Sequence, residues 1–364
     1  MEKDTLSSNE VMVSMSGGVD SSVAAALLIE RGYRVSGIMM RTDDIRFLSD
    51  EKRKAEEMAR KIAEQLQIRF QVIDLAADFQ KQVVRYFIGA HNSGLTPNPC
   101  YVCNRSIKWG LLLNYALESG AQMLASGHYA QVRQAEDGVY KLFRAVDKNK
   151  DQSYVLSALT QAQLRHAIFP LGGLQKNEVR EIARRYCFLI KKEDESQDLC
   201  FLDGQSQEEF LRIHAPELFL PGLIKTGEGK VIGEHQGLAL FTIGQRKGIQ
   251  ISHSEPYYIL RKDIGSNTLV VGTREQLGIN RIKVSHVNWI SGKEPHLPAF
   301  FQVKVRYRAK AIKAWITGHQ ATGYNITFDE IVRDPTPGQY AVFYDEDEVI
   351  GSGVISEILA GENS

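Results

Sequence analysis

Apolar and amphipathic segments alternate over the first 130 residues. The apolar run Val11–Met15 predicts a buried strand, and Ser21–Arg31 carries its apolar side chains on one helical face before Gly32 ends it. Similar patterns predict strands at Arg34–Met40, Phe70–Leu75 and Met123–Ser126. They also predict helices at Ser49–Leu66 and Asn104–Leu117, and a helix that follows Leu75 and extends to about Ile88. Because strands that alternate with helices form a parallel, doubly wound sheet, this part of the chain is predicted to be α/β.

The pattern changes twice in the second half. A helix is predicted at Lys176–Tyr186, followed by a polar loop at 191–201. Residues 205–280 have the Gly-rich turns of a small mixed α+β domain, and short strands such as Tyr340–Tyr344 predict a C-terminal β-barrel from 281 onward. The predicted domains are 1–204, with the helical segment of about 160–190 packing toward the central domain, then 205–280, then 281–364.

The turn between the first predicted strand and helix has the composition of a phosphate site. Gly17 and Gly18 lack a Cβ, so backbone N–H groups can approach an anion while the helix N-terminus adds about half a positive charge. Asp20 would repel a phosphate, which favours a Mg²⁺ ion between the two. A Gly-Gly turn alone is more often a plain connection, and it is the full string Ser16–Ser22 that makes the pattern specific.

That string resembles the PP-loop of the N-type ATP pyrophosphatases, which are adenine nucleotide alpha hydrolase-like proteins that cleave ATP between the α and β phosphates. The chain contains neither G-x-x-x-x-G-K-[ST] nor G-x-G-x-x-G, which argues against an ordinary γ-phosphate kinase and a nicotinamide enzyme. Gly18, Met40 and Gly127 each follow a predicted strand, and the carboxyl ends of parallel strands meet at one edge of a sheet. A nucleotide pocket is therefore predicted at that edge.

The composition is that of an ordinary soluble globular protein, with 43% hydrophobic and 24% charged residues. No stretch approaches the ~20 apolar residues of a membrane span and the N-terminus has no signal-like core, so we expect a cytoplasmic protein with no membrane partner. The formal net charge of +0 conceals two opposite segments. Residues 281–318 hold eight Lys/Arg and one Glu, whereas 319–364 hold one Arg and nine Asp/Glu.

Within the basic segment, Phe301–Arg308 alternates between apolar and cationic side chains, which predicts a single strand. Its polar face would carry Lys304, Arg306 and Arg308 about 7 Å apart. We expect this row of cations to bind RNA phosphates, and the acidic segment to lie on the far side of the barrel.

The four cysteines, at 100, 103, 187 and 200, are too few for a disulfide scaffold and are judged as reactive or ligating thiols. Pro97 and Pro99 should delay helix formation until after Cys103, which would then stand at a helix N-terminus with a lowered pKa. The alternatives are half of a zinc site or a pair of buried apolar cysteines. Cys200 favours the reactive interpretation because it lies in a polar loop, whereas Cys187 is predicted to pack inside a helix.

Eight motifs together resemble the tRNA-specific 2-thiouridylases of the MnmA/TrmU type, in the same order from residue 11 to about 355. They are Met15–Ser22, Thr96–Asn104, Ser126–Tyr129, Asp147–Tyr154, Ser196–Phe201, Gly233–Gly237, Gly244–Gly248 and Thr336–Gln339. The resemblance implies ATP-dependent 2-thiolation of the wobble uridine of tRNAs for Lys, Glu and Gln. It also implies that the partners are the anticodon stem-loop and a sulfur donor, such as a cysteine desulfurase or a sulfur-relay protein.

The resemblance further implies a role for particular residues, with no protein-bound metal site among them. The implied ATP contacts are Ser14, Met15, Ser16, Gly17, Gly18, Val19, Asp20, Ser21, Met40 and Gly127. The implied catalytic pair is Cys103, as the nucleophile, and Cys200, as the persulfide carrier. The implied tRNA contacts are Asn98, Pro99 and Cys100 near the target base, with His128, Lys150, Asp151, Gln152, Tyr307, Arg308 and Gln339.

The implied chemistry begins with adenylation of uridine O2, which releases pyrophosphate and makes AMP the leaving group. A persulfide sulfur on Cys200 then attacks C2, and Cys103 attacks the Cys200 sulfur to leave a Cys103–Cys200 disulfide. This chain departs from well-known members, which have Asp where Cys100 stands. Cys100 is therefore either a thiolate base or, with Cys103 and Cys200, a ligand of an iron-sulfur cluster.

Two other classes of function stay open at the level of sequence. One is an amide-forming PP-loop ligase of the NAD synthetase or argininosuccinate synthetase type, which would need no cysteines. The other is a non-catalytic tRNA-binding or iron-sulfur protein, against which the intact Ser16–Ser22 string argues. The disulfide mechanism of thiolation is the preferred prediction.

Overall fold

The computed structural model describes residues 9–188, 199–249, 251, 255–319, 321, 323–333 and 335–359. Most of the predicted polar loop, from 191 to 198, lies outside the described residues. In the described part of the chain, no helix is both long enough and apolar enough to cross a membrane.

Seven strands are assigned among the described residues of the first part of the chain. They are β1 (Glu10–Ser14), β2 (Arg34–Arg41), β3 (Arg69–Asp74), β4 (Met123–Ser126), β5 (Gln131–Gln134), β6 (Tyr140–Phe143) and β7 (Ala167–Ile168). Five of them form a sheet in the order β3-β2-β1-β4-β7, and all the pairings in it are parallel. The predicted α/β sheet is thus confirmed, with the apolar strand β1 at its centre.

Ten α-helices are assigned in the described residues. They are α1 (Val19–Glu30), α2 (Asp50–Gln65), α3 (Ala76–Phe79), α4 (Arg85–Asn92), α5 (Pro99–Val102), α6 (Leu113–Glu118), α7 (Ser153–Leu156), α8 (Gln161–Leu164), α9 (Lys176–Arg185) and α10 (Gln207–His214). The π-helical segments Gln80–Val84 and Cys103–Leu112 join α3 to α4 and α5 to α6. Short 3-10 turns occur at Ile45–Phe47, Pro216–Leu218, Leu238–Leu240 and Glu275–Leu277.

The central region is a four-stranded mixed sheet. Its strands are β8 (Gly222–Thr226), β9 (Val231–His235), β10 (Tyr258–Asp263) and β11 (Thr268–Gly272), in the order β10-β11-β8-β9. Only β11 and β8 are parallel, and a small core that includes Ile224, Ile259 and Val271 lies against them. The predicted small mixed domain is therefore confirmed.

The last six strands close into a barrel. They are β12 (Ile279–Trp289), β13 (Ala299–Lys304), β14 (Ile312–His319), β15 (Gly323–Val332), β16 (Tyr340–Asp345) and β17 (Glu348–Leu359). The order β12-β15-β14-β13-β16-β17 is closed by pairing of β12 with β17. The predicted C-terminal barrel is confirmed, and closure leaves its strands without a free edge within the ring.

The barrel is joined to the first part of the chain by pairing and by packing. The hairpin β5–β6 leaves the parallel sheet and pairs with β17. The rings of Tyr101 and Tyr340 stack with centroids 3.5 Å apart, and the Tyr101 hydroxyl hydrogen-bonds Ser352 Oγ at 2.9 Å. One hydrophobic cluster accordingly contains side chains from both regions, which fixes the barrel beside the cysteine-bearing segment.

Three predicted elements are wrong in their extent. The helix expected to start at Asn104 already starts at Pro99, because the Asn98 side chain accepts from Tyr101 N at 3.1 Å and proline is well tolerated in a first helical turn. The strand expected to run to Arg308 ends at Lys304. Cys187 lies beyond the end of α9 and is exposed with φ 53°, so it does not pack inside a helix.

The position expected for the acidic segment is also wrong in part. Asp347 pairs with Lys148 at 2.6 Å, and Glu348 pairs with Lys141 at 2.9 Å. These two acids therefore contact the first part of the chain, where they help to hold the barrel in place.

Candidate ATP and tRNA thiolation site

The glycine turn after β1 has the geometry of an anion cradle. Gly17 has φ +74°, and a Cβ there would lie 2.2 Å from the carbonyl oxygen of Ala55, so only glycine fits. Gly18 is the N-cap of α1, and its own Cβ would meet nothing closer than Ser16 Oγ at 3.4 Å. The space in front of Gly18 is therefore open to a ligand, while Gly17 is required by packing.

Hydroxyl groups brace this turn. Ser21 Oγ accepts from Ser16 N at 3.1 Å and donates to Gly18 O at 3.1 Å, and Ser22 Oγ donates to Gly18 O at 2.8 Å. Together they hold the carbonyl of Gly18 away from the open side, which leaves N–H groups at the start of α1 as the groups available to phosphate.

The other implied ATP contacts lie at the same edge of the sheet. Ser14 and Met15 are buried at the end of β1, and Met40 is the seventh residue of the eight-residue strand β2. A Cβ on Gly127, just after β4, would lie 2.7 Å from Ser21 N, so this glycine allows the end of β4 to approach α1 closely. The fold thus gathers these residues around the start of α1.

Asp20 is held by two partners that the sequence did not indicate. Lys176 Nζ lies 2.7 Å and 2.9 Å from the two carboxylate oxygens, and the Tyr129 hydroxyl donates to Oδ1 at 2.8 Å. Lys176 is the first residue of α9 and its side chain is only 12% exposed. Mg²⁺ is commonly held by one or two carboxylates and by substrate phosphates, so Asp20 fits that role if Lys176 moves from it to a phosphate.

More charged groups surround this pair. The pKa of Lys150 is lowered by burial and by the cations Lys176 and Arg180, while Asp20 and Asp147 oppose the shift. Asp147 also accepts from the backbone N–H of Lys176 at 3.0 Å. This phosphate-side cluster (Asp20, Asp147, Lys150, Lys176 and Arg180) has three cations and two anions. Of these five residues, only Lys176 and Arg180 lie on one helix. Their i, i+4 spacing is the one sequence signal that could have indicated a cationic site here.

The structure brings Cys100, Cys103 and Cys200 together. Cys100 lies in α5 and Cys103 begins the π-helical segment, whereas Cys200 follows the undescribed stretch 189–198. The Cys200 thiol raises the pKa of both other cysteines, and Cys100 raises that of Cys103. Effects of this kind fall off with distance, so the three thiols lie near one another, and their surroundings are called the thiol pocket below.

The predicted lowering of the Cys103 pKa is wrong. Desolvation by the surrounding protein raises the pKa of Cys103 to about 12 and that of Cys100 to about 11, and it also raises the pKa of Cys200, although Cys100 and Cys200 each keep part of their surface exposed to solvent. Cys103 follows a complete helical turn, so its sulfur does not benefit from a helix N-terminus. Lys108 lowers the pKa of all three thiols and so opposes the effect of desolvation. Among the described residues, it is the one cation that acts on every thiol of this pocket.

This difference predicts a pH dependence for thiol alkylation. In a variant that retains Cys103 alone (C100S, C187S and C200S), the rate of reaction with iodoacetamide should still be rising above pH 10, because the reactive thiolate forms only near the raised pKa of about 12. The same protein in denaturant is the control, and its rate should level off near the ordinary value of about 8.5. If the alkylation rate of the folded protein reached a plateau below pH 9, Cys103 would have the lowered pKa that the sequence predicted.

The iron-sulfur alternative requires the three thiols to be placed as ligands of one metal site. Among the residues that the structure describes, no group of three or more His, Cys, Asp or Glu side chains is placed to hold a metal ion. The described residues therefore do not form an iron-sulfur site as they stand.

The implied tRNA contacts near the cysteines lie where the first part of the chain meets the barrel. Cys100 is exposed beside the buried Pro99, and Gln339 Nε2 donates to the carbonyls of Thr96 and Pro97 at 3.0 Å each. Gln339 thus anchors the segment that carries the cysteines. Tyr307 is 38% exposed, and its ring meets that of Tyr154 edge-on at 5.9 Å.

The remaining implied contacts have partners inside the protein. Asp151 is buried and accepts from Ala145 N and Ser153 N at 3.1 Å each, and Gln152 Oε1 accepts from Tyr129 N at 2.9 Å. His128 Nδ1 lies 2.7 Å from Ser126 Oγ, and burial lowers the pKa of this histidine. His128 is therefore neutral at physiological pH and can contribute a hydrogen bond but no charge.

The predicted row of three cations on β13 is wrong. Because the strand ends at Lys304, Arg306 turns inward, where it donates to Ile243 O at 2.8 Å and hydrogen-bonds Thr336 Oγ1. Lys304 Nζ lies 6.0 Å from the Tyr154 ring centroid and 5.9 Å from that of Tyr307, and burial lowers its pKa. Arg308 is exposed beyond the strand, beside Tyr307.

Comparison with known proteins gives matches along most of the chain. Three family models match: a tRNA methyl transferase HUP domain at residues 9–204, a tRNA methyl transferase PRC-barrel domain at 208–273 and an aminomethyltransferase beta-barrel domain at 279–355. The tRNA-specific 2-thiouridylase MnmA of Chloroflexus aggregans is 41% identical over 356 residues, which cover 96% of this chain and 99% of that protein. That of Geotalea uraniireducens is 42% identical over 358 residues, covering 96% of this chain and 95% of the relative. With such identity over nearly its whole length, the chain belongs to the tRNA-specific 2-thiouridylase (MnmA) family.

Proposed function

We propose that this protein is an ATP-dependent tRNA-uridine 2-sulfurtransferase that thiolates the wobble uridine of tRNAs for Lys, Glu and Gln in the cytoplasm. The observation that carries the proposal is the presence, in one chain of this family, of an anion cradle at Gly17–Ser22 and a pocket of three thiols. A ligase that forms amides has use for the cradle but none for the thiols.

The cradle and the phosphate-side cluster suit activation of the uridine. Uridine O2 is a poor leaving group, and its attack on the α-phosphorus of ATP breaks the α–β bond, giving an adenylated base and pyrophosphate. Asp20 would hold a Mg²⁺ ion, which would stabilise the negative charge of the phosphates. The N–H groups at the start of α1 and the cations Lys150, Lys176 and Arg180 stabilise the departing pyrophosphate.

Sulfur transfer uses the thiol pocket. A donor such as a cysteine desulfurase or a sulfur-relay protein loads Cys200 with a persulfide, whose terminal sulfur attacks C2 of the base and expels AMP. The Cys103 thiolate then attacks the Cys200 sulfur and breaks the S–S bond, so the transferred sulfur remains on the base. The products are 2-thiouridine and a Cys103–Cys200 disulfide, which a thiol reductant must reduce with two electrons.

The raised pKa values of the thiols determine which protonation state they have before substrate binds. With pKa values raised to about 11 and about 12, Cys100 and Cys103 are neutral thiols at pH 7, which makes Cys100 a poor base in the unliganded protein. Lys108 is the group that favours their thiolates. An iron-sulfur route through Cys100, Cys103 and Cys200 is the alternative mechanism, which is less favoured because the described residues do not form the cluster site.

We also propose that the chain is divided into three domains, at 1–204, 205–280 and 281–364. The three sheets support this division, since each lies mainly within one of these ranges. The exception is the hairpin β5–β6, which belongs to the first range but pairs with the barrel.

The proposed function predicts three products from one reaction. Incubation with ATP, Mg²⁺, unmodified tRNA and a persulfide donor should yield AMP, pyrophosphate and 2-thiouridine at position 34 in equal amounts. Omission of tRNA is the control and should suppress AMP formation. AMP without thiouridine, in the presence of an amine or carboxylate acceptor, would indicate an amide ligase, and tRNA binding without AMP would indicate a non-catalytic protein.

A further inference from the structure

An exposed aromatic pair lies on the outer wall of the barrel, outside every residue assigned so far. Phe300 of β13 and Trp315 of β14 are direct cross-strand partners, with ring centroids 5.1 Å apart. Phe300 is 42% exposed and Trp315 is 47% exposed. Large aromatic side chains normally bury most of their surface, so a paired exposed set indicates a surface that binds something.

The position of this pair connects it with the proposed tRNA path. On the outer face of β13, Phe300 is followed by Gln302 and then by Lys304, which lies over the Tyr154 and Tyr307 rings where the barrel meets the first part of the chain. Four residues of strand span about 13 Å. The aromatic pair thus continues, on the same face of one strand, the surface that starts at Tyr307.

Packing explains why the exposed wall starts at this pair. The outward residues of β16, Tyr340, Val342 and Tyr344, are buried in the core shared with the first part of the chain. Lys304 and Gln302 of β13 are opposite Val342 and Tyr344, at the margin of that contact. Phe300 and Trp315 lie beyond this margin, where the wall becomes accessible.

Charge favours a polyanion as the occupant. Lys313 is opposite Gln302 and is exposed on the same face of β14 as Trp315, with the two residues about 7 Å apart along the strand. The pair belongs to the segment 281–318, whose eight Lys/Arg and one Glu give a net charge of +7. Aromatic rings beside cations are the standard combination for binding unpaired nucleotides, because bases stack on the rings while the cations contact the phosphates.

We propose that Phe300 and Trp315 form a stacking platform for an unpaired base of the tRNA substrate, with Lys313 contacting an adjacent phosphate. This inference rests on the proposed function, because it needs tRNA to bind where the barrel meets the cysteine-bearing segment. The platform adds affinity that is independent of the target uridine and of ATP. The platform also favours RNA in which an unstacked base can reach Phe300 and Trp315 while the wobble uridine is at the thiol pocket.

The tryptophan content makes the platform directly observable. The chain has three tryptophans, and Trp109 and Trp289 are 0% and 8% exposed, so iodide should quench the fluorescence of Trp315 almost alone. Saturating tRNA should remove most of the iodide-accessible fraction in the full-length protein. Trp315→Phe should abolish the accessible fraction yet bind tRNA within about twofold of wild type, because phenylalanine still stacks.

Affinity measurements separate stacking from charge. Trp315→Ala should weaken tRNA binding about 5-fold or more, since stacking contributes about 1–3 kcal/mol per base. The loss should be the same at low and at moderate salt, whereas Lys313→Ala should flatten the salt dependence by about one unit of slope. Ile331→Ala, which removes another exposed apolar side chain of the barrel, is the matched control and should bind like wild type.

The outcomes distinguish the platform from the function on which it rests. Wild-type protein that thiolates tRNA, combined with a Trp315→Ala variant of unchanged affinity and normal melting temperature, would overturn the platform alone. Protection of Trp315 from iodide by the sulfur donor protein, and not by tRNA, would also overturn it and assign the surface to a protein partner. Wild-type protein that fails to bind tRNA at all would instead refute the proposed function.

Discussion

Cys200→Ser and Cys103→Ser should both abolish formation of 2-thiouridine, but they should stop the reaction at different stages. Without the Cys200 sulfur no persulfide can form, so Cys200→Ser should accept no labelled sulfur from a donor. Cys103→Ser should load Cys200 normally and then stall. Without the Cys103 thiolate, nothing attacks the Cys200 sulfur to break the S–S bond and free the thiolated base. The measurement is label retained on the protein after brief incubation with a radioactive persulfide donor.

Cys187→Ser is the matched control for this pair, because Cys187 is exposed at the end of α9, away from the thiol pocket. It should load and transfer sulfur like the wild type. The mechanism would be wrong if Cys103→Ser failed to load Cys200. It would equally be wrong if anaerobically reconstituted iron-sulfur protein were active while metal-free protein was inactive, an outcome that would make Cys100 a ligand.

Breaking the Asp20–Lys176 pair from either side should impair ATP use in two different ways. Asp20→Asn keeps a hydrogen-bond acceptor for Lys176 but loses the ligand for Mg²⁺, so AMP formation should fall about 1000-fold or more, as expected for several kcal/mol of metal stabilisation. Lys176→Ala should raise the KM for ATP about 10-fold or more, since a hydrogen bond to a charged group contributes about 1.5–3 kcal/mol.

Product inhibition identifies the end of the nucleotide that Lys176 contacts. In Lys176→Ala, inhibition by pyrophosphate should weaken by about the same factor as the KM rises, while inhibition by AMP should be unchanged. Lys148→Ala is the control, since Lys148 is an exposed lysine of the same region that pairs with Asp347. Equal weakening of AMP and pyrophosphate inhibition would place Lys176 elsewhere, and normal ATP turnover by Asp20→Asn would refute the assignment of the loop. Neither variant should change tRNA affinity.

A third variant separates ligand contact from packing in the loop itself. Gly18→Val should block phosphate approach, because the open space in front of Gly18 is filled by a branched side chain. Gly17→Ala should instead destabilise the protein, because its φ of +74° and the 2.2 Å approach to Ala55 O leave no room for a Cβ. The two glycines are adjacent in sequence and equivalent in the motif, yet only the structure separates their roles.

Sequence alone determined the features that depend on near neighbours in the chain. The apolar run of β1, the helical periodicity of α2 and the string Ser16–Ser22 each encode a local conformation, because burial of one face and the lack of a Cβ act within a few residues. The order of motifs likewise sufficed to indicate the family.

The tertiary structure decided what depends on distant segments. Asp20 meets Lys176, which is 156 residues away, and β13 stops at Lys304 while Arg306 reaches Ile243 of the central region. The direction of the Cys103 pKa shift depends on distant segments for the same reason, because desolvation by elements from other parts of the chain outweighs the charges nearby in sequence. Local patterns specify which elements form, whereas the burial and charge pairing of a site arise only when closure of the barrel and docking of α9 bring those elements together.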